Sequence, residues 1–101
     1  MTISGIYKIQ SKIKPERIYI GSALNIKARW SHHKSTLKLN SHSNNKIQNH
    51  YNKYGESDLC FTIILECEKT ELADTEQFFI DSYKPWFNIS PSAYSCRAIV
   101  S

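Results

Sequence analysis

Within its first 22 residues the chain carries two short segments rich in β-branched and aromatic residues, Ile3–Gln10 and Arg17–Ser22. Only six residues join them, Ser11–Glu16, and these are mostly polar and include Pro15. Such segments read as strands and the stretch between them as a turn, so the chain is expected to begin with a β-hairpin. Asn25 suits a helix N-cap, and Ile26, Trp30, His33 and Leu37 recur on one face of a helix running to about Leu37. The polar stretch 39–45 reads as a loop. Asn45–Tyr54 reads as a second, weaker helix that Gly55 ends. Leu59–Glu66 is the most strand-like run in the chain and is expected at the centre of the sheet. Thr70 is expected to cap a third helix reaching about Tyr83, with Pro85 as its stop, and Trp86–Ile89 to add a short last strand. The order β-β-α-α-β-α, hairpin first, argues against a doubly wound nucleotide fold and for an α+β sheet with helices packed on it.

A chain of 101 residues fits one compact domain. Residues 1–90 are expected to form it, with 91–101 as a tail or the start of a linker. Charge divides along the chain. Residues 1–55 hold ten Lys and Arg against the single acid Glu16, a net of +9. Residues 56–101 hold three bases against eight acids, a net of −5, and together they make the +4 of the whole. That asymmetry suggests a polyanionic partner on the N-terminal side, the bland alternative being a solvated basic face. Cys60, Cys67 and Cys96 are too few and too scattered for a disulfide framework, and their simplest reading is buried thiols in a reducing compartment. The N-terminus has no signal-peptide pattern, and no apolar run approaches the ~20 residues of a membrane span. A cytoplasmic protein without a membrane partner is expected. The spacings of His32, His33, His42, His50 and the cysteines match no structural zinc pattern.

Some residues break their local pattern. Leu72, Glu76, Phe79 and Tyr83 are spaced 4, 3 and 4 apart and form one helical stripe, in which Glu76 is a carboxylate among apolar and aromatic neighbours. An unpaired carboxylate facing a core is costly and calls for a cation or a metal; a border residue that reaches solvent or a lysine is the alternative. Arg29 and His33 are four apart and share a helix face. A guanidinium beside an imidazole suits a phosphate, since one matches its oxygens and the other can transfer a proton. A surface arginine and a packed histidine explain the pair equally well. Eleven residues separate Tyr7 from Tyr19, one in each strand of the hairpin, and each strand also carries a glycine, Gly5 and Gly21. Strand tyrosines are usually just good β-formers, but glycine inside a strand marks close approach of another backbone or a ligand.

Together these residues resemble the GIY-YIG nuclease family. Gly5-Ile6-Tyr7 and Tyr19-Ile20-Gly21 supply its two motifs. Ser22-Ala23, Arg29 before Trp30, His33, His42, Glu76 in Thr-Glu-Gln-Phe-Phe-Ile, and Asn88 in Phe-Asn-Ile-Ser follow in the family's order. The wording is most similar to the catalytic domain of phage and intron homing endonucleases, and the likeness runs from about Ile3 to Tyr94.

The resemblance implies a three-stranded antiparallel sheet flanked by about three helices. It implies an endonuclease that hydrolyses DNA phosphodiester bonds with one divalent ion, Mg²⁺ or Mn²⁺, held by Glu76. In that scheme Tyr7 takes the proton of the attacking water, helped toward phenolate by Arg29 and the ion. Arg29 also contacts the scissile phosphate, Tyr19 and His33 orient water or relay a proton, and Asn88 holds the site together. The division of labour among Tyr7, Tyr19 and His33 stays open. Lys27, Lys34, Lys38, His42 and Lys46 are the candidate DNA contacts on the basic half. Homing enzymes of the family carry a separate C-terminal DNA-binding region, so a missing region or a targeting partner is expected to supply site choice. The competing readings are a stand-alone repair or structure-specific nuclease, and a nucleic-acid-binding module that kept the fold without catalysis.

Overall fold

The computed structural model describes residues 2–88. Strands β1 (Gly5–Ser11) and β2 (Ile18–Ala23) form the expected antiparallel hairpin, with Tyr7 opposite Gly21 and Ile9 opposite Tyr19. Its turn is closed by hydrogen bonds from the Arg17 N–H to the Lys14 carbonyl (2.8 Å) and from the Ser11 N–H to the Arg17 carbonyl (3.2 Å). Strand β3 (Leu59–Glu66) pairs antiparallel with the other edge of β1, so the order is β2-β1-β3.

The central strand is therefore β1 and not, as its apolar run suggests, Leu59–Glu66. Every residue of β1 is buried or half-buried, whereas β3 exposes Cys60, Thr62, Leu65 and Glu66. Apolar density in a short run does not distinguish a central strand from an edge strand whose inner faces alone are covered.

Three helices complete the chain: α1 (Ile26–Lys38), α2 (Asn45–Tyr54) and α3 (Leu72–Tyr83). Asn25 caps α1 by accepting from the Ala28 N–H, and Asn44 caps α2 by accepting from the Ile47 N–H, each at 3.1 Å. Gly55 closes α2 at a φ of 90°, a conformation glycine adopts without a Cβ penalty. Thr70 does not cap α3. A single 3-10 turn, Lys69–Glu71, precedes that helix, held by a reciprocal capping box between Glu68 and Glu71. At the far end Lys84 takes the left-handed conformation (φ 47°), which ends α3 directly before Pro85.

Alternation along the strands splits the core in two. Tyr7 and Ile9 face α1 and α2 with Ala23, Ile26, Leu37, Ile47, Leu59 and Phe87. Ile6 and Ile20 face α3 through Leu72 and Ile80. Each buried Ile, Leu or Phe among them contributes roughly 1.5–3 kcal/mol by leaving water. After α3, residues 86–87 form a turn rather than the start of a strand, and Ile89 lies outside the described residues, as do the 91–101 tail and Cys96. The segment nevertheless docks on the open edge of β2. The Phe87 N–H donates to the Ile18 carbonyl (3.0 Å), while the Asn88 carboxamide accepts from the Ile20 N–H (2.9 Å) and donates to its carbonyl (3.0 Å). One side chain thus takes both backbone groups that a fourth strand would have paired. Among the described residues no helix is long and apolar enough to cross a membrane.

Candidate active site

The glycine of the second motif is explained by the tyrosine of the first. Tyr7 lies opposite Gly21, and its ring passes over the bare Cα: a Cβ there would stand 2.6 Å from the Tyr7 oxygen and 2.9 Å from the Tyr19 ring. Gly5 is needed for a different reason, because a Cβ on it would strike the backbone of Leu65 and Glu66 in β3.

Around Tyr7 the fold assembles a cluster of rings. Tyr19 (6.3 Å), Trp30 (6.1 Å, edge-on) and His33 (5.8 Å) surround it, and His42 lies nearly parallel to His33 at 5.0 Å. His33 faces the sheet because it is the buried position of the α1 stripe, two turns after Ile26 and one before Leu37. A chain of hydrogen bonds links these groups. The Asn44 N–H donates to His42 Nδ1 (2.9 Å), His42 Nε2 meets His33 Nδ1 (2.7 Å), and His33 Nε2 meets the Tyr7 hydroxyl (2.7 Å).

A backbone N–H can only donate, and this orders the whole chain. His42 Nδ1 must be an acceptor, so neutral His42 carries its proton on Nε2 and donates to His33. His33 in turn carries its proton on Nε2 and donates to Tyr7. Both rings are held neutral: burial pushes His33 down to about 3, with the charges of His42 and Arg29 adding, and burial lowers His42 as well. His33 then has no acceptor left, and it is a donor to the Tyr7 oxygen rather than a base.

Burial first, then Tyr19 and Glu76, push the Tyr7 phenol well above its ordinary range. Arg29 opposes this by charge and by hydrogen bonding. The expected pull of Arg29 toward phenolate is therefore present and is outweighed. The Tyr7 side chain is wholly buried, so the low-dielectric surroundings decide the balance.

Glu76 reaches the same place from the other face. In its stripe Leu72 is buried and Phe79 half-buried, while Tyr83 is exposed; the neighbouring Ile80 is buried. Glu76 itself is half-buried and accepts a hydrogen bond from Ser22 Oγ at the end of β2. Beside Ser22 opens a cleft lined also by Asn25, Ala28, Arg29, His32 and Leu72. Tyr7, Tyr19, Arg29, His33 and Glu76 thus come together at one end of β2, and Asn88 holds the strand at Ile20, two residues from Ser22. Lys27, Lys34 and Lys38 project from α1 as exposed side chains, whereas His42 is half-buried against His33, and Lys46 stands apart on α2. Ser22, read from the sequence only as part of the family's wording, touches Glu76, and Asn44, which sequence reasoning did not single out, touches His42. Strand alternation from Ile20 points Ser22 toward α3, and the Asn44-Asn45 pair ahead of α2 offers a capping signal for Asn44.

A half-buried carboxylate bonded to Ser22, itself on the cleft that Arg29 lines, fits a hard cation that keeps waters and completes its shell with substrate phosphate. Among the described residues no three His, Cys, Asp or Glu side chains converge as a cage for a metal.

Comparison with known proteins agrees with this geometry. The catalytic domain of the intron endonuclease I-TevI, solved as a point mutant, superposes with a TM-score of 0.81 at 29% identity, over 89% of this chain and 96% of that one. A second structure of the catalytic domain of the homing endonuclease I-TevI gives 0.79 at 30% identity, over 86% and 98%. Intron-associated endonuclease 1 of Enterobacteria phage T4 is 35% identical over 79 residues. That match covers 76% of this chain, which spans about a third (31%) of the length of the phage protein. The sequence model described as the GIY-YIG catalytic domain matches residues 3–89, and the chain belongs to the GIY-YIG family as a homing-endonuclease-like catalytic domain.

Proposed function

We propose that this domain hydrolyses DNA phosphodiester bonds with the aid of one divalent cation, Mg²⁺ or Mn²⁺, held by Glu76. The observation that carries the reading is the setting of the Tyr7 oxygen. It accepts from His33 Nε2 and lies under the charge of Arg29, while the Glu76 carboxylate nearby opposes charge on it until a cation neutralises that carboxylate. An oxygen among donors is arranged to carry negative charge.

Tyr7 takes the proton of the water that attacks phosphorus once the Glu76 carboxylate, neutralised by a cation, no longer opposes the phenolate. The His33 N–H and the Arg29 guanidinium stabilise that phenolate, and the Asn44–His42–His33 chain keeps the donated proton on Nε2. Tyr19 packs on both Tyr7 and His33 and fixes their rings. Arg29 lines the cleft and contacts the scissile phosphate, where a guanidinium matches two oxygens at once. Ser22 Oγ orients the Glu76 carboxylate, and Asn88 holds the edge of β2 at Ile20. When bound, the ion supplies Lewis acidity at the phosphate and the leaving oxygen. Residues 1–90 act as the catalytic unit, with Lys27, Lys34, Lys38 and Lys46 adding nonspecific phosphate contacts. Site choice comes from a region or partner beyond that unit.

Supercoiled-plasmid cleavage tests this, with Mg²⁺, Mn²⁺ or EDTA, and with native protein against Glu76→Ala. The expected result is metal-dependent nicking that the substitution abolishes while circular dichroism stays native. Undiminished cleavage by Glu76→Ala removes Glu76 from the metal role. Absence of cleavage by well-folded native protein at low salt favours a binding module.

A further inference from the structure

Away from the Tyr7 cluster the fold buries a second polar network. Asp58, in the 3-10 turn Glu56–Asp58 before β3, accepts from Ser11 Oγ (2.6 Å), the Ile13 N–H (2.9 Å) and His50 Nε2 (2.6 Å). Both Asp58 and His50 are buried. His50 turns its other nitrogen, Nδ1, toward Arg17 Nη1 at 3.2 Å. A guanidinium only donates, so His50 accepts there and carries its proton on Nε2. The buried network thus fixes one surface group, the Arg17 guanidinium, which lies 4.2 Å from the centre of the Trp86 ring. Lys46 Nζ stands 4.8 Å from the same centre and donates to the Trp86 carbonyl at 3.0 Å. Trp86 itself is 42% exposed.

Two cations drawn to one indole repel each other, which the ring quadrupole offsets only in part. An anion that pairs with either charge relieves the repulsion. The place of this pair in the fold says which anion. Phe87, next to Trp86, is bonded to Ile18 of β2, and its carbonyl accepts from Asn44 Nδ2 at 2.8 Å. That same Asn44 sets the tautomer of His42 in the Tyr7 cluster. Arg17 enters β2 five residues before Ser22, about 17 Å away at about 3.3 Å per residue. At about 3.4 Å per nucleotide this span would be roughly five nucleotides of one strand. That is about half a turn of B-form DNA and would carry the strand to the far side of the duplex, so a phosphate reached on this face lies fewer nucleotides away than that.

We propose that Arg17 and Lys46, held on Trp86, form a second phosphate site, which takes the DNA backbone a few nucleotides from the scissile phosphate on the same side of the duplex. The proposal rests on DNA being the ligand of the domain. The guanidinium offers paired donors to phosphate oxygens and the ammonium adds a point charge. Free phosphate shares this chemistry; DNA is the committed source because the site continues the edge of β2 that leads to the catalytic cleft.

Binding of a labelled duplex, followed by fluorescence anisotropy in EDTA so that nothing is cut, tests the site across about 50 to 200 mM salt. Arg17→Gln and Lys46→Gln should each weaken binding several-fold and lower the slope of log K against log salt by about one. Native slopes in folded variants overturn the site. Lys46→Gln alters an exposed side chain and decides the matter alone if Arg17→Gln fails to fold. A tryptophan-fluorescence response to inorganic phosphate that Lys46→Gln removes, with an unchanged DNA slope, assigns the pair to a free anion and overturns the DNA proposal. Native protein that shows no salt-dependent duplex binding sinks both this site and the nuclease reading. Native protein that binds with the expected slopes but never nicks plasmid with Mg²⁺ sinks only the nuclease reading.

Discussion

Gly21→Ala should disable the site while leaving the fold. The new Cβ would stand 2.6 Å from the Tyr7 oxygen and 2.7 Å from its Cζ, where ordinary contact begins at 3.4 Å. The ring must retreat by about 0.8 Å, and it is already wholly buried, so the displacement falls on the hydrogen bond to His33. Overpacking of this kind costs roughly 1–3 kcal/mol. In a domain of this size each kcal/mol lowers Tm by about 4–8 °C. Misplacing a reacting group by about 1 Å can cost about a hundredfold in rate. Plasmid nicking by Gly21→Ala should therefore drop about a hundredfold, with duplex affinity close to native and a melting transition lowered but cooperative. The comparison is Gly5→Ala, whose Cβ strikes the backbone of β3; it should cost stability first and leave little folded protein to test. Native nicking rates for Gly21→Ala at native Tm would refute the claim that Tyr7 occupies the space above Gly21.

Acidification should destabilise the fold well before carboxylates titrate. The folded state holds His33 near 3 against an unfolded value of 6.5, so the unfolded chain binds more protons between those values and stability falls as pH drops from about 6.5. The slope should approach about 1.4 kcal/mol per pH unit per histidine, with His42 adding in the same direction; a Tm that is flat from pH 7 to 5 would contradict it. Asp58 acts lower: burial raises its carboxyl, but Ser11, His50 and the Ile13 N–H outweigh that and hold it near 2, so its contribution is lost only as pH falls from about 4 to 2. Asn88→Ala leaves the Ile20 backbone groups without their partner, and should cost about 1–3 kcal/mol in chemical denaturation. Lys34→Glu or Lys38→Glu should weaken duplex binding and flatten its salt dependence, since both project from α1 into solvent; an unchanged slope would place DNA elsewhere.

The hairpin and the helix frame were legible because they are local. Proline and polar residues between two β-branched runs leave the chain little choice but to turn back. Asn25 and Gly55 mark helix ends because caps act within a few residues of themselves. The Glu76 anomaly was visible because helical periodicity tells which face a side chain must share. Strand order was not legible. The apolar run of β3 pointed to the centre of the sheet, yet pairing with β1 on one side only leaves β3 at the edge, and pairing is a long-range event. Thr70 failed as a cap because it lies inside the 3-10 turn Lys69–Glu71, whose capping box starts at Glu68, and a cap must stand outside the helical turn. The tertiary structure also decided the chemistry within the motif. Sequence could place Tyr7, His33 and His42 in one site but could not say which of them holds which proton. That follows from the Asn44 N–H, eleven residues beyond His33, because a backbone donor fixed in space dictates every tautomer down the chain to Tyr7.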